Sequence, residues 1–430
     1  MNFMARILWR AAKFAGAHPR DPVIAEWMGG SVTQSGQMVN PDNAMQVTAV
    51  YACVRVIAET IASLPFFVYR YLADNKGMER DPLHPLYQLL HVRPNRWQTP
   101  REWLHYMISA LLLRGNAYSE KIAAGGRAIS ELIPLNPVRV RPVMVNERGD
   151  PVEEMIAGGQ LVYWYTPPSG GGRVILASEM LHFRGLTRNG YVGLSPITIH
   201  RETIGLSMAQ REYSSRFFEN DARPGGAVKI PGTLKDEDAI KRFKASWKKA
   251  QTGENRGAVA LLEGGADWVD IGMSNVDAQF LESQKYGIAD IAGRIYGVPL
   301  HMVGELDRAT FSNIEHQAIE FMRYTIRPYL VLIEQCVKRD LFDVRDWLMT
   351  HTVEFLADAL MRGDTLNRFR AYSIARQWGW YSANDIRRLE GANPIDGGDI
   401  YLMPSNMVDA AKDNPYQDGP APSDTARSIQ

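Results

Sequence analysis

Cysteine is scarce in this chain: 430 residues contain two, Cys53 and Cys336. Both stand on apolar helical faces, which excludes a disulfide framework and reads as reduced, buried packing. No run of about eighteen uncharged apolar residues occurs, so no membrane-spanning helix is expected, and Arg6, Arg10 and Lys13 break up any signal-peptide core. An excess of charge of one sign is also missing. Lys plus Arg and Asp plus Glu stand at 48 each, which argues against a tight, uniformly basic nucleic-acid binder. The chain has no Gly-Lys dipeptide and therefore no P-loop to cradle phosphates, and it has no CxxC, GxSxG, GxGxxG or HExxH pattern. No catalytic residue, cofactor or metal site is expected from these signatures. Internal repeats and heptad arrays are absent as well.

What is present is an α+β, multidomain chain, too long for one ordinary core. The spacing Val47, Val50, Val54, Ile57, Ile61, Leu64 predicts a helix ending at Pro65, followed by a strand from Phe66 to Leu72. Thr99-Pro100-Arg101-Glu102 is a capping box with proline at the first helical position, and Gly115 closes the helix it opens. The period then changes. Residues 117–122, 131–135, 138–145, 161–166, 174–176 and 180–184 are short, β-rich segments between Gly, Pro and Asn turns, predicting an antiparallel region rather than a Rossmann domain. Ile197–Glu219 predicts one long helix of about 35 Å. A small α/β insert follows, with strands 227–230, 258–262 and 268–271 and a helix from Leu234 to Gln251, before a second long helix over Asp277–Tyr296. Near the C-terminus, Asp364 and Gly379 bracket one helix and Ser382 with Asp385 caps another.

The most informative stretch is Gly297–Leu341. Ser312 with Glu315 predicts a capped helix start, and Ile314, Ala318, Ile319, Met322, Ile326, Tyr329, Leu330, Ile333 and Val337 form an apolar stripe that Pro328 is expected to kink. Here Gly297-Val298-Pro299, Gly304, Ser312-Asn313, Glu315, Gln317, Glu320-Phe321 and Arg327-Pro328 resemble the corresponding run in portal proteins of tailed double-stranded DNA bacteriophages, most closely the lambdoid long-tailed type. The resemblance extends from about Asn40 to about Met407, and takes in Arg362-Gly363-Asp364-Thr365, Gly379-Trp380, Asn384-Asp385-Ile386-Arg387 and Gly397-Gly398-Asp399. Asp385 stands where a glutamate is common.

The resemblance implies a portal-type subunit, commonly one of twelve in a ring at the capsid vertex, through which double-stranded DNA passes without sequence preference. It divides the chain into a flexible N-terminal arm (1–40), a wing domain (41–196, completed by the helix 312–345), stem helices (197–221 and 277–297), a clip (222–276), a tunnel loop (298–311), a helical crown (346–404) and a disordered tail (405–430). The tunnel-loop residues Val303, Gly304, Glu305, Leu306, Asp307, Arg308, Ala309, Thr310 and Phe311 would touch DNA. Expected partners are further copies of the chain, the terminase large subunit, the major capsid protein or scaffold and a head-tail adaptor, with the protein in the virion and, during assembly, in the host cytoplasm.

Three sets of residues carry competing readings. Lys241, Arg242, Lys244, Lys248 and Lys249 form a candidate DNA or motor contact on the clip helix, but Asp236, Glu237 and Asp238 open the same helix, so the pattern also fits simple opposition to the helix dipole. Glu305, Asp307, Glu315, His316 and Glu320 invite a metal-dependent nucleic-acid hydrolase, though only His316 and Glu320 share a helical face. Phe3, Ile7, Leu8, Ala11 and Phe14 beside the basic residues of the arm fit a membrane surface, a docking arm or plain disorder. Another virion ring protein, such as an adaptor, is the remaining alternative.

Overall fold

The structure is a computed structural model that describes residues 31–72, 77–124, 128–219, 226–229, 241, 267–270, 283, 285–305, 311–342, 350–356, 365–390 and 392–402. The chain divides into two compact units, Met1–Phe355 and Leu356–Gln430.

In the first unit, helix α1 (Thr48–Ala62) packs on helix α2 (Pro100–Arg114). The expected periodicity of α1 is met: Val50, Cys53, Ile57, Ala58 and Ile61 are wholly buried. Burying each large aliphatic side chain stabilises the fold by roughly 1.5–3 kcal/mol. The α2 capping box forms as read, with Thr99 Oγ1 accepting from Glu102 N and Glu102 Oε2 accepting from Thr99 N at 2.8 Å. Gly115 closes the helix at φ 72°, and a Cβ there would lie 2.1 Å from the Leu194 carbonyl oxygen, so no other residue fits.

Among the described residues, three antiparallel sheets of three or four strands pack in this unit. Strand β3 (Phe66–Tyr71) is the centre of a three-stranded sheet, flanked by β4 (Met78–Arg80) and β14 (His351–Phe355). Phe66 and Phe355 stack across it with ring centroids 4.1 Å apart. Strand β5 (Asn116–Ala124) pairs with β6 (Ala128–Leu135) and with β11 (Met180–Arg184). Strands β7 (Val140–Val145), β8 (Pro151–Val152), β9 (Gln160–Tyr165) and β10 (Arg173–Leu176) form the third sheet in the order β10-β9-β7-β8. Tyr118, Leu135, Val140, Tyr163, Ile175 and Met180 join the last two sheets in one core cluster. Trp103 of α2 is buried against this layer and donates its indole N–H to Ser119 Oγ at 3.2 Å.

Several expectations need correction. The arm was expected to stay flexible to residue 40. Instead Ser31–Val32 (β1) and Met38–Val39 (β2) pair as a hairpin that lies on helix α3 (Arg201–Glu219). Gln34 N donates to Glu202 Oε2 at 3.0 Å, and Gly205 leaves the room Thr33 needs, since a Cβ there would sit 2.7 Å from Thr33 atoms. The helix expected over 197–219 is broken. Ser195 and Pro196 start a short turn, Pro196–Ile199, and His200 leaves helical geometry before α3 begins. Strand β14 lies within the 346–404 range read as helical, and its partner β3 stands some 280 residues earlier, beyond the reach of any local pattern. The strands expected at 227–230 and 268–271 are found at 226–229 (β12) and 267–270 (β13), and they pair antiparallel. The strand 258–262 lies outside the described residues.

In the second unit, helices α6 (Thr365–Gln377) and α7 (Ala383–Leu389) are held by Arg368 and Tyr372, both bonded to Glu390. Ser382 and Asp385 make the predicted capping box, and Gly379 takes φ 74°. Asp364, the expected cap of α6, lies outside the described residues. Asn384 is buried and explains its motif. Its side chain accepts from Ile395 N at 2.8 Å and donates to Ile395 O and Asp399 Oδ2, each at 3.0 Å, and a Cβ on Gly398 would lie 2.4 Å from Asn384 Oδ1.

Candidate functional site

The candidate site lies where the helical residues 285–295 lead into the turn at Gly297–Gly304. Residues 285–289 are helical and run into a π turn, Asp290–Ile295, whose end is closed by Tyr296 N donating to Ile291 O. Helix α3 lies beside residues 283–287. Gln210 Nε2 of α3 donates to Ser283 Oγ at 2.8 Å, and Gly287 brings the backbones close, with room for a Cβ only 3.2 Å from Ser207 Oγ. Tyr296 is buried, which pushes its phenol up, and its hydroxyl points to Leu112 O of α2.

Gly297 then turns the chain at φ 65°. Its carbonyl accepts from Thr325 Oγ1 at 2.6 Å, and a Cβ on Gly297 would stand 2.8 Å from that oxygen. Pro299 leads into a 3-10 turn, Leu300–Val303, that Gly304 ends at φ 94°, and Glu305 N donates back to Leu300 O at 3.0 Å. Val303 and Gly304 are therefore part of a closed turn. Leu306, Asp307, Arg308, Ala309 and Thr310 lie outside the described residues.

The chain resumes in helix α4 (Phe311–Glu320). Phe311 already has helical backbone, so Ser312 sits inside the helix and is not its cap, which corrects the expected start. A π turn, Phe321–Ile326, joins α4 to helix α5 (Arg327–Leu341). It is the structural answer to Pro328: proline cannot donate to the carbonyl four residues back, and Arg327 N instead reaches Met322 O five residues back. The wider turn shifts the buried face. Phe321 and Thr325 are buried where Ile319 and Met322 were expected, and Ile319 is 54% exposed. His301 Nδ1 and Gln317 Oε1 meet at 2.9 Å and tie the 3-10 turn to α4.

The far end of α5 is fixed to the sheets. Lys121 Nζ donates to Asp340 O at 2.5 Å, Asp340 pairs with Arg339, and His182 N donates to Asp340 Oδ2 at 3.4 Å. Desolvation lowers the Lys121 ammonium from its usual range. Burial pushes the Cys53 thiol up to about 12 and raises Cys336, so both cysteines are inert packing groups as expected.

The predicted site residues are brought together only in part. Lys241 is exposed and helical, whereas Arg242, Lys244, Lys248 and Lys249 lie outside the described residues. His316 and Glu320 are exposed on α4, while Asp307 and the Glu315 side chain lie outside the description. Among the described residues no group of three or more His, Cys, Asp or Glu is close enough to hold a metal ion. Sequence reasoning missed His301 and Thr325. Gln317 was quoted only for resemblance, and its contact with His301 across the loop has no local signal in the sequence.

Comparison with known proteins supplies what the local geometry does not. The family model described as phage portal protein matches residues 48–391. The probable portal protein of Streptomyces phage phiC31 is 34% identical over 409 residues, covering 92% of this chain and 85% of the relative. The portal protein of Enterobacteria phage HK97 is 27% identical over 374 residues, covering 86% and 84%. Among solved structures, the neck of an empty gene transfer agent particle aligns with a TM-score of 0.58 and 24% identity over 90% of this chain and 99% of the other. An HK97-family portal protein from Corynebacterium diphtheriae aligns at 0.52 and 15% over 76% and 99%. The match spans α3, the turn at Gly297–Gly304 and the α4–α5 helix: the chain belongs to the phage portal protein family.

Proposed function

We propose that this chain is one subunit of a cyclic ring, built head to tail, that forms the channel for double-stranded DNA at the capsid vertex. The observation that carries the reading is the family match across residues 48–391. The fold likeness to the neck of a native gene transfer agent particle computed with C12 symmetry, with a TM-score of 0.56, supports a twelve-fold ring. In this reading α3 and the helix ending at Ile295 line the lumen, and the connection Val303–Phe311 narrows it. Helices α4 and α5 carry that connection back to the wing. A heterologous interface whose rotation closes is how identical chains enclose a hole.

The chain's charge balance fits the task. Each phosphate neutralised adds salt-dependent affinity, and a ring that held the backbone tightly would arrest the polymer it passes. Weak, sequence-blind contacts let the duplex slide, and the energy comes from another chain, a terminase motor docked on the clip formed by residues 222–276. A head-tail adaptor takes the same place after packaging, the major capsid protein or scaffold surrounds the wing, and no catalysis is assigned to the chain. Class-averaged electron micrographs of the purified protein are expected to show rings with a central hole. A folded, soluble protein that remains monomeric at high concentration overturns the proposal.

A further inference from the structure

We propose, on the ring reading above, that the α4–α5 junction of one copy receives the acidic β7–β8 hairpin of the neighbouring copy through Arg323, Tyr324 and Arg327.

The junction has two unlike sides. Phe321, Thr325 and Ile326 of the π turn are buried, and the opposite side turns Arg323, Tyr324, Arg327 and Val331 to solvent. Tyr324 is 67% exposed. The Arg323 guanidinium lies over its ring, 5.6 Å from the centroid, which holds that charge at the surface. Among the described residues no carboxylate pairs with Arg323 or Arg327, although Glu320 is exposed one turn before Arg323. Tyrosine and arginine are the side chains that anchor protein interfaces. Two unpaired cations beside an exposed ring call for an acidic partner that also carries apolar side chains.

The hairpin has that chemistry. Residues 146–156 hold four carboxylates against the single Arg148. Glu147, Glu153 and Glu154 are exposed and form no ion pair among the described residues, and Met155 beside them is 60% exposed. The backbone under these side chains is fixed. Asn146 Oδ1 accepts from Arg148 N and Asp150 N, each at 2.9 Å, Asn146 N donates to Asp150 O at 2.9 Å, and the Tyr191 hydroxyl donates to Glu153 O at 3.2 Å. A charged turn that is already closed has little order left to lose on docking. Within one chain the two surfaces belong to different layers: β8 is the edge strand beside β7, whereas α5 packs on β11 and β14. A head-to-tail contact needs two unlike patches on the same chain that complement each other, and these match in charge and in apolar content.

Charge reversal in the full-length protein tests the contact, with rings measured by sedimentation velocity and the fold by circular dichroism. Arg323→Glu with Arg327→Glu reverses the junction, and Glu153→Arg with Glu154→Arg reverses the hairpin. Like charges across an interface oppose association, so each double variant alone is expected to form rings only at roughly tenfold the parent's concentration, with the parent's circular dichroism. An equimolar mixture of the two double variants, alternating around the ring, brings opposite charges to every contact, and so does the quadruple variant. Both are expected to assemble near the parent's concentration. Rings from either double variant at the parent's concentration overturn the contact, as does a loss that the mixture or the quadruple variant fails to recover. A parent protein that forms no rings sinks the ring reading itself, whereas parent rings indifferent to the reversals remove this contact alone.

Discussion

His182 is enclosed on every side, and its neighbours decide its protonation. Asn116 Nδ2 donates to Gly193 O at 2.7 Å, so the Asn116 oxygen is the atom that accepts from Gly193 N and from His182 Nε2. The ring therefore carries its hydrogen on Nε2, and Nδ1 accepts from the Tyr163 hydroxyl at 3.2 Å. Burial holds its pKa well below the ordinary value, reinforced by Arg184 and Arg339 nearby. The unfolded chain titrates near pH 6.5. Below that pH the unfolded state binds a proton that the folded state refuses, so stability falls as pH drops, by up to about 1.4 kcal/mol per pH unit. Stability is thus fully present above pH 6.5. Between pH 7.5 and pH 5.0 part of this contribution is lost, and His182→Gln, which does not titrate there, should show a smaller pH dependence in denaturant unfolding. Equal pH dependence in the two proteins would falsify the assignment. None of this was visible in the sequence, where His182 is one polar residue in a β-rich segment and its partners stand at 116, 163 and 193.

Elements were legible where their signals are local. A capping box needs only four residues, and both Thr99–Glu102 and Ser382–Asp385 form as the residues dictate. The α2 box makes a direct prediction. Thr99→Ala removes the side-chain acceptor of Glu102 N and should lower stability by about 1 kcal/mol, seen as a lower denaturation midpoint. Thr99→Ser should restore most of it, and an Ala variant as stable as the parent contradicts the role. The helix 311–341 was legible as a helix but not in its phase. Pro328 was expected to interrupt it, yet the response is a wide turn at Phe321–Ile326 that rotates α4 relative to α5 and turns Ile319 outward. Periodicity cannot forecast that slip, since it assumes one period throughout. The hairpin 31–39 and strand β14 were missed because each is fixed by a distant partner: Glu202 for one and β3 for the other.

At the scale of the whole molecule, helix α3 and the helix beside it carry large apolar side chains at the surface. Leu206 and Tyr213 of α3 are 52% and 53% exposed, and Tyr286 on the helical segment 285–289 is 59% exposed. Leu206 and Tyr213 are seven residues apart and so share one face of the helix. Polar partners at Gln210 and Ser283 meanwhile hold the two helices to each other. Grouped apolar exposure of this kind on a folded chain marks an interaction surface, and a head-to-tail ring supplies one, because each copy offers the face its neighbour covers. Placing charge there should cost assembly and leave the fold, since neither side chain contributes to the subunit's buried core. Leu206→Glu with Tyr213→Glu is expected to sediment as a monomer with the parent's circular dichroism, whereas Trp97→Glu, at a side chain 71% exposed just before α2, should leave the ring intact. Rings formed by the double variant as readily as by the parent would place the subunit interface elsewhere on the chain. The same measurement separates the two levels of the argument, because a monomer that still folds shows that α1, α2 and the three sheets stand without the ring.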